Sequence, residues 1–256
     1  MSVKIKEVIA ALENFAPLPL QESYDNAGLQ IGLTEAEVSG ALLCLDVTED
    51  VVREAVDLGC NLIVSHHPVL FRPLRRVCDE TLVQRVVRMA IQNDVAIYSA
   101  HTNLDKAEDG VNYKMAEKLG LIDVVPSGKS GGVVGYLPAE MDARLFLEHV
   151  KSVFRVDCLA HNELLERPVQ SVCLCGGAGA FVLEEALEQE ADAFLTGEMG
   201  YHDFFGLEQR VQIGVLGHWE SEQYTVELLR DKMQDWFPHL PVYMTEVVTN
   251  PVRYLI

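Results

Sequence analysis

Positive charge is scarce in this sequence. Its 256 residues include 20 Lys and Arg against 39 Asp and Glu, which gives a formal net charge of −19 at pH 7. Such a chain repels the phosphates of long nucleic acids and anionic membrane surfaces, so we expect neither a nucleic acid duplex nor a membrane as its partner. A local exception is the group Arg72, Arg75 and Arg76. It is either a solvated loop, the favoured interpretation, or a contact for a small phosphate.

Long apolar segments and CxxC pairs are missing as well. Lys4, Lys6 and Glu13 interrupt the apolar N-terminal stretch, and no later run is long enough to cross a bilayer. The six cysteines include no CxxC pair, which argues against a disulfide framework and a zinc ribbon. We therefore expect a cytoplasmic protein whose cysteines are mostly small buried apolar residues.

Short runs rich in Val, Ile and Leu alternate with segments of helical periodicity. This alternation predicts an α/β fold in which helices cover mostly parallel strands. The predicted strands are Ala41–Asp46, Asn61–Ser65, Val95–Ser99, Ser171–Cys175, Ala193–Thr196 and Gln212–Leu216. The predicted helices are Ile5–Phe15, Glu49–Leu58, Glu80–Asn93, Asn112–Leu119, Ala143–Phe154, Ala180–Glu188 and Ser221–Trp236.

An internal repeat divides the chain into halves. The strand, helix and strand from Leu43 to Ser65 recur without a gap from Leu174 to Thr196, at a constant offset of 131 residues. After the next strand of each half, a histidine is followed by a carboxylate four residues on, at an offset of 117. We therefore predict two pseudo-repeated α/β lobes whose polar strand ends face each other across a di-metal cleft. Chance similarity among α/β units is the alternative.

The stretch Ser127–Gly132 is the glycine- and serine-rich segment nearest the middle of the chain. A Walker A loop is excluded, because Lys129 and Ser130 are followed by two glycines and a predicted strand rather than by a helix. We interpret the stretch as a flexible linker between lobes that span residues 1–125 and 126–256. This division leaves open that the C-terminal segment packs against the first lobe.

Polar residues placed just after buried parallel strands are the candidate metal ligands. A rigid sheet holds such residues while their side chains reach a crevice. Adjacent side chains of an extended chain point to opposite sides, so His66 and His67 fit two neighbouring metals more naturally than one. His218 and Glu222 lie on one face if they open a helix. Asp105 completes a set that exceeds the needs of one open zinc site.

Two divalent metal ions are therefore the economical interpretation. Such a pair can activate a water and hold both the attacking and the leaving oxygen of a substrate. Without a cysteine ligand, zinc, iron, manganese and nickel all remain chemically reasonable.

Three further polar residues stand near these predicted strand ends. His101 occupies the register of His218 and is predicted to line the site and handle a proton or orient Asp105. Glu198 is a candidate general base, and His202 lies four residues beyond it. A capped helix start with surface polar residues explains Glu198 and His202 equally well.

Five sequence motifs together resemble the NGG-interacting-factor-three-like family, whose bacterial members are called GTP cyclohydrolase type 2 homologues. The motifs are Tyr24-Asp-Asn-Ala-Gly-Leu-Gln-Ile-Gly32, Ser65-His-His-Pro68, His101-Thr-Asn-Leu-Asp105, Thr196-Gly-Glu198 and Gly217-His218-x-x-x-Glu222. The resemblance covers nearly the whole chain and fits the short form without an inserted domain. It implies a di-metal site with ligands at His66, His67, Asp105, His218 and Glu222.

The resemblance also implies a ring-shaped homohexamer and a metal-dependent hydrolase. The activity it suggests is opening of the guanine ring of GTP, in which water attacks C8 and formate leaves. The substrate, GTP or another nucleotide, comes from the resemblance alone. The alternatives are a di-metal phosphoesterase and a metal-binding or scaffold protein without catalysis.

Overall fold

A computed structural model describes residues 2–255, which contain helices and strands in alternation. The α-helices are α1 (Ile5–Phe15), α2 (Glu49–Asp57), α3 (Leu82–Gln92), α4 (Thr102–Lys106), α5 (Val111–Leu119), α6 (Ala143–Phe154), α7 (Leu183–Glu188), α8 (His218–Glu222) and α9 (Thr225–Trp236). The strands are β1 (Gly28–Ile31), β2 (Ala41–Cys44), β3 (Leu62–Ser65), β4 (Ala96–Ser99), β5 (Ile122–Pro126), β6 (Val133–Met141), β7 (Ala160–His161), β8 (Val169–Cys175), β9 (Ala193–Thr196), β10 (Gln212–Val215) and β11 (Val242–Met244).

The chain forms two compact units. The first contains the residues up to Ala107 together with Thr225–Pro251, and the second contains Glu108–Tyr224 and the residues from Val252 onward. The N-terminal segment of the first unit thus ends at Ala107, whereas the sequence placed the junction between residues 125 and 126. Helix α5 and strand β5 belong to the second unit because β5 pairs with β6 there. The C-terminal segment returns to the first unit, where β11 pairs with β2.

The first unit is built on a five-stranded sheet with the order β1-β4-β3-β2-β11. Strand β1 runs antiparallel to β4, and the other neighbours are parallel. The three middle strands are buried along their whole length. Helices α2 and α3 cover them with Val51, Val52, Val86 and Ala90. The carboxyl ends of these three parallel strands therefore lie along one edge of the sheet.

The second unit has a six-stranded sheet with the order β5-β6-β8-β9-β10-β7. Strands β8, β9 and β10 are parallel, and the outer strands are antiparallel to their neighbours. The core includes Phe146, Val150 and Phe154 of α6. Asp142 caps this helix by accepting from the backbone N–H groups of Arg144 and Leu145. The α/β class and the parallel central strands are as predicted, while the antiparallel outer strands were not predicted.

The repeat seen in the sequence is present in the strand registers. Ala41 pairs with Leu62 in the first unit, and Val172 pairs with Ala193 in the second, so the offset of 131 residues is preserved. The next pairing of each unit joins Ser65 to Ser99 and Thr196 to Val215. Each unit therefore contains the same arrangement of three parallel strands.

The segment predicted as a flexible linker is instead a turn between β5 and β6. The backbone N–H of Ser127 donates to the carbonyl of Gly132 at 2.9 Å. The carboxylate of Glu185 accepts from the Ser127 hydroxyl at 2.7 Å and from the backbone of Lys129 and Ser130 at 2.9 and 3.1 Å. The glycines and serines serve this carboxylate-bound turn inside the second unit, so the linker prediction was wrong.

The sequence predicted neither a membrane-spanning helix nor a disulfide framework. Between residues 2 and 255, no helix combines the length and the apolar character that crossing a bilayer requires. The cysteines are all free thiols, and those at positions 44, 60, 173 and 175 are buried. Burial raises the pKa of Cys173 to about 12, so this thiol is a packing residue rather than a nucleophile.

Candidate metal centre

Three histidines meet where β3 and β4 of the first unit end. The backbone N–H groups of His66 and His67 donate to the carbonyls of Cys44 and Leu45, at 3.1 and 2.9 Å, so both residues continue the contacts between β3 and β2. His101 follows β4 and precedes α4. One ring nitrogen from each histidine lies within 4.8 Å of the others. The sheet therefore delivers three imidazoles to one place.

Hydrogen bonds set the tautomers of His66 and His67. Nδ1 of His66 lies 2.8 Å from the carbonyl oxygen of Ala100, and Nδ1 of His67 lies 2.8 Å from Oδ1 of Asp46. A carbonyl and a carboxylate only accept, so Nδ1 of each ring carries the hydrogen. Nε2 then presents its lone pair. Metal-binding histidines typically have this arrangement of an oriented ring and an outer acceptor.

His101 is oriented in the same way by Asp25. Its Nδ1 lies 2.7 Å from Oδ1 of Asp25, and Oδ2 of Asp25 accepts from the backbone N–H of Thr102 at 3.1 Å. Burial alone would raise the pKa of Asp25, but hydrogen bonds from His101 and Thr102 lower this pKa to about 2. Asp25 is therefore a permanent anion near neutral pH and holds its donors firmly.

Asp105 places a carboxylate beside His66 of this histidine cluster. It lies on α4, and its Oδ1 is 3.6 Å from Nε2 of His66, which is fully buried. Both atoms carry lone pairs when the imidazole is neutral, so they repel each other unless a proton or a cation lies near both. Imidazole and carboxylate donors without a thiolate suit zinc, iron, manganese or nickel. The residues of the first unit therefore fit a divalent metal.

The second unit has a corresponding group after β10. His218 and Glu222 are the first and last residues of α8, and Nε2 of His218 lies 3.3 Å from Oε2 of Glu222. Nδ1 of His218 lies 3.0 Å from Oε1 of Glu198, which follows β9. This histidine too has an acceptor on Nδ1 and a carboxylate near Nε2. The Glu222 side chain is only 4% exposed, so a carboxylate is buried beside an imidazole lone pair.

Gly177 makes room for Glu222 in this group. It has a φ of +57°, and a Cβ at this position would lie 2.2 Å from Oε1 of Glu222. Its backbone N–H donates to the hydroxyl of Ser221 at 2.9 Å, and its carbonyl accepts from the backbone of Glu198 at 2.9 Å. The glycine therefore connects the two segments that carry the candidate ligands of the second unit.

The predicted site residues thus form one group in each unit. The first unit brings His66, His67 and Asp105 together, and the second brings His218 and Glu222 together with Glu198. His101, predicted to line the site, belongs to the histidine cluster. Its ring centroid lies 5.3 Å from that of His66 and 5.4 Å from that of His67.

His202 belongs to a different arrangement. It lies on a 3-10 turn, Tyr201–Phe204, and its ring contacts those of Tyr201 and Phe205 at centroid distances of 5.2 and 6.1 Å. Of the pair Glu198 and His202, it is Glu198 whose side chain contacts His218. His202 therefore packs among aromatic rings, and Glu198 lies beside the candidate ligand His218.

Sequence reasoning missed the residues that orient the histidines. Asp46 was placed inside a strand, although it follows the apolar run of β2 as His66 follows that of β3. Asp25 was noted only as part of the motif Tyr24–Gly32, because its partner His101 lies 76 residues away. Nothing in the sequence marked Gly177 as part of the site, except that it is the second of two adjacent glycines after β8.

Comparisons with known proteins agree with this architecture. The family model of Duf34/NIF3 (NGG1p interacting factor 3) matches residues 3–251. A GTP cyclohydrolase 1 type 2 homolog from Clostridium acetobutylicum is 32% identical over 244 residues, 91% of each chain. NIF3-like protein 1 from Drosophila melanogaster is 34% identical over 212 residues, 78% of this chain and 71% of its own. A hypothetical protein from Staphylococcus aureus matches with a TM-score of 0.92, 25% identity and 100% coverage of both chains. The chain belongs to the Duf34/NIF3 family.

Proposed function

We propose that the protein is a di-metal hydrolase that acts on a nucleotide such as GTP. Its metal ligands are His66, His67, Asp105, His218 and Glu222. The observation that carries this proposal is the hydrogen bonding of the histidines, each of which has its Nδ1 beside an oxygen acceptor. That arrangement turns the other ring nitrogen into a donor for a metal.

Bound divalent ions supply Lewis acidity, which makes a water nucleophilic at neutral pH. The protein contributes proton transfer and orientation. Glu198 is 58% exposed while it contacts His218, so its carboxylate can take a proton from solvent or substrate. His101 is held by Asp25 and can carry a proton or act as a further ligand. We assign Glu198 and His101 the catalytic roles.

The substrate part of the proposal rests on the names of relatives. A Clostridium acetobutylicum relative is named a GTP cyclohydrolase 1 type 2 homolog. In the ring-opening reaction that we propose, a first water adds to C8 of guanine and the C8–N9 bond breaks, which leaves a formamide. A second water hydrolyses this formamide, so that formate leaves and the amine remains on the opened base. The family resemblance further suggests a homohexameric ring in the cytoplasm, and we carry both forward as proposals.

The direct test is to incubate the metal-loaded protein with GTP and to measure formate and phosphate separately. We expect formate, and we expect Glu198→Gln to slow its release while the bound metal is retained. Glu184→Gln, an exposed carboxylate on α7, is the matched control. Phosphate without formate would instead identify a phosphoesterase. Metal retention without turnover of a broad nucleotide panel would favour a metal-binding protein that is not an enzyme.

A further inference from the structure

Two exposed aromatic rings lie beside the histidine cluster of the first unit. Tyr24 is 62% exposed and Phe71 is 43% exposed, and their ring centroids are 6.4 Å apart at an interplanar angle of 72°. The Phe71 ring also contacts that of His101, with centroids 6.0 Å apart at 89°. A continuous row of rings therefore leads from solvent to the candidate metal ligands.

Hydrogen bonds hold the two loops that carry these rings. The side-chain amide of Asn26 donates to the carbonyl of Leu70 at 2.8 Å. The side chain of Gln30 accepts from the backbone N–H of Leu70 at 3.2 Å and donates to the carbonyl of Asn26 at 2.7 Å. Hydrogen bonds thus join the segment that follows Tyr24 to the residue that precedes Phe71. The ring pair is a built feature rather than a chance encounter of two surface side chains.

The loop beyond Phe71 concentrates positive charge. Arg72, Arg75 and Arg76 are exposed and follow within five residues of Phe71. Among residues 2–255, none of the three forms an ion pair with a carboxylate of the chain. Three unpaired guanidinium groups are unusual in a protein with 39 acidic and 20 basic residues. Guanidinium groups match phosphate oxygens in charge and in hydrogen-bond geometry.

We propose that Tyr24 and Phe71 bind the base of a nucleotide and that Arg72, Arg75 and Arg76 bind its phosphate. Aromatic side chains bind bases by stacking, which accepts any base with a π-face. The arginines select the phosphorylated form by charge. This inference rests on the proposed function for its substrate class, since it places a nucleotide beside His101. It adds the residues that recognise the two ends of that substrate.

Three ligands separate the two parts of the binding surface. GMP has both a base and a phosphate, guanosine has only the base and ribose, and ribose 5-phosphate lacks the base. Their dissociation constants are measured by calorimetry on the full-length, metal-loaded protein. The variants are Tyr24→Ala, Tyr24→Phe, Phe71→Ala and a triple Arg72→Ala, Arg75→Ala, Arg76→Ala. Bound metal is measured for each variant, because a loss of metal would reveal a misfolded site.

We expect Tyr24→Ala and Phe71→Ala each to weaken GMP and guanosine by about tenfold and to leave ribose 5-phosphate unchanged. Tyr24→Phe keeps the ring and should bind like the parent. The triple arginine variant should weaken GMP and ribose 5-phosphate, leave guanosine unchanged, and reduce the salt dependence of binding. Phe181→Ala and Arg88→Ala remove an exposed ring and an exposed arginine elsewhere, and both should leave all three affinities unchanged.

The inference and the proposed function can fail separately. Base-dependent binding that requires Tyr24 and Phe71, without release of formate or phosphate from GTP, would support the inference and reject the hydrolase. GTP turnover that keeps its kcat/KM in a Tyr24→Ala, Phe71→Ala double variant would support the hydrolase and overturn the inference. Absence of GMP binding by the parent protein would also overturn the inference.

Discussion

Individual acceptor residues decide how the histidines of this protein can act. The His67 ring has two nitrogens, and Nδ1 lies 2.8 Å from Oδ1 of Asp46. Asp46 is itself held by the hydroxyl of Thr249 at 2.8 Å. An acceptor of this kind fixes the ring orientation and makes the opposite nitrogen more basic. Metal affinity should therefore depend on a residue that need not touch the metal.

Replacing Asp46 with Ala should lower the affinity for metal by about 10- to 100-fold, because the His67 ring loses its orienting acceptor. Competition with a chromophoric chelator measures the affinity. Asp50→Ala is the matched control, since Asp50 pairs with Arg53 on the surface of α2 and should leave the affinity unchanged. Equal affinities for the parent and Asp46→Ala would show that the contact between Asp46 and His67 has no role in metal binding.

Replacing Gly177 with Ala should disturb the Glu222 side chain. The new Cβ would lie 2.2 Å from Oε1 of Glu222, in a backbone with φ of +57°. Gly59→Ala is the matched control. Gly59 also has a positive φ, +71°, but a Cβ added there would meet no atom within 4 Å. Both variants should lose about 1–2 kcal/mol from backbone strain, measured by urea unfolding.

Gly177→Ala should lose further stability and also bind less metal than Gly59→Ala. If the two variants retained equal amounts of metal, the close approach of Gly177 to Glu222 would not matter for the site.

The candidate ligands were recognisable in the sequence because the histidines among them each follow a short apolar run. His66, His67 and His218 obey this local rule, and Asp105 and Glu222 follow at helical spacing. Asp25 and Asp46 could not be assigned as partners, since each meets its histidine through folding rather than through local sequence. His101 was predicted to line the site, and its contacts with both other histidines depend on the pairing of β3 with β4.

At the scale of elements, one carboxylate organises the turn between β5 and β6. Glu185 lies on α7 and accepts three hydrogen bonds from the turn at 2.7 to 3.1 Å. Burial would raise the pKa of Glu185, but the bonds from Ser127, Ser130 and Lys129 lower this pKa below the ordinary value for a glutamate. The charged form of Glu185 therefore stabilises the folded state.

Glu185→Gln should reduce the free energy of unfolding by about 2 kcal/mol at pH 7, since hydrogen bonds to a charged acceptor are lost. The folded pKa is lowered, so this contribution is present above the unfolded pKa and is lost as the pH falls through the folded value. The difference between parent and variant should shrink below about pH 4. Urea unfolding across pH measures it, with Glu184→Gln as the control. A difference independent of pH would contradict this account.

The ends of elements were harder to predict than the elements themselves. A single helix was predicted for Ser221–Trp236, but the structure has α8 (His218–Glu222) and α9 (Thr225–Trp236). Between them the side chain of Gln223 donates to the carbonyls of Glu220 and Phe154, both at 2.8 Å. No proline or glycine marks this break, so periodicity alone continued through it. The turn at Ser127–Gly132 was misinterpreted because its partner, Glu185, is distant in sequence.

At the scale of the whole molecule, the chain uses one strand arrangement twice. The matching registers of the β2–β3 and β8–β9 pairs show the duplication. In each unit, polar residues follow the parallel strands and become candidate ligands, and the two sets differ in composition. The first is rich in histidine, while the second combines one histidine, His218, with one carboxylate, Glu222. The repeat was visible in the sequence because no insertion interrupts its first segment.

The most direct test of the account is the metal content of four proteins, the parent and three variants, purified without a chelator or a histidine tag. Inductively coupled plasma mass spectrometry of the parent should give about two divalent ions per chain. We expect a lower number for His67→Ala, in the first unit, and for Glu222→Ala, in the second. The control variant is His149→Ala, which should keep the full number, because the His149 ring contacts the carbonyl of Leu119. A parent protein without metal, or full metal content in both ligand variants, would contradict the central claim that these residues bind metal.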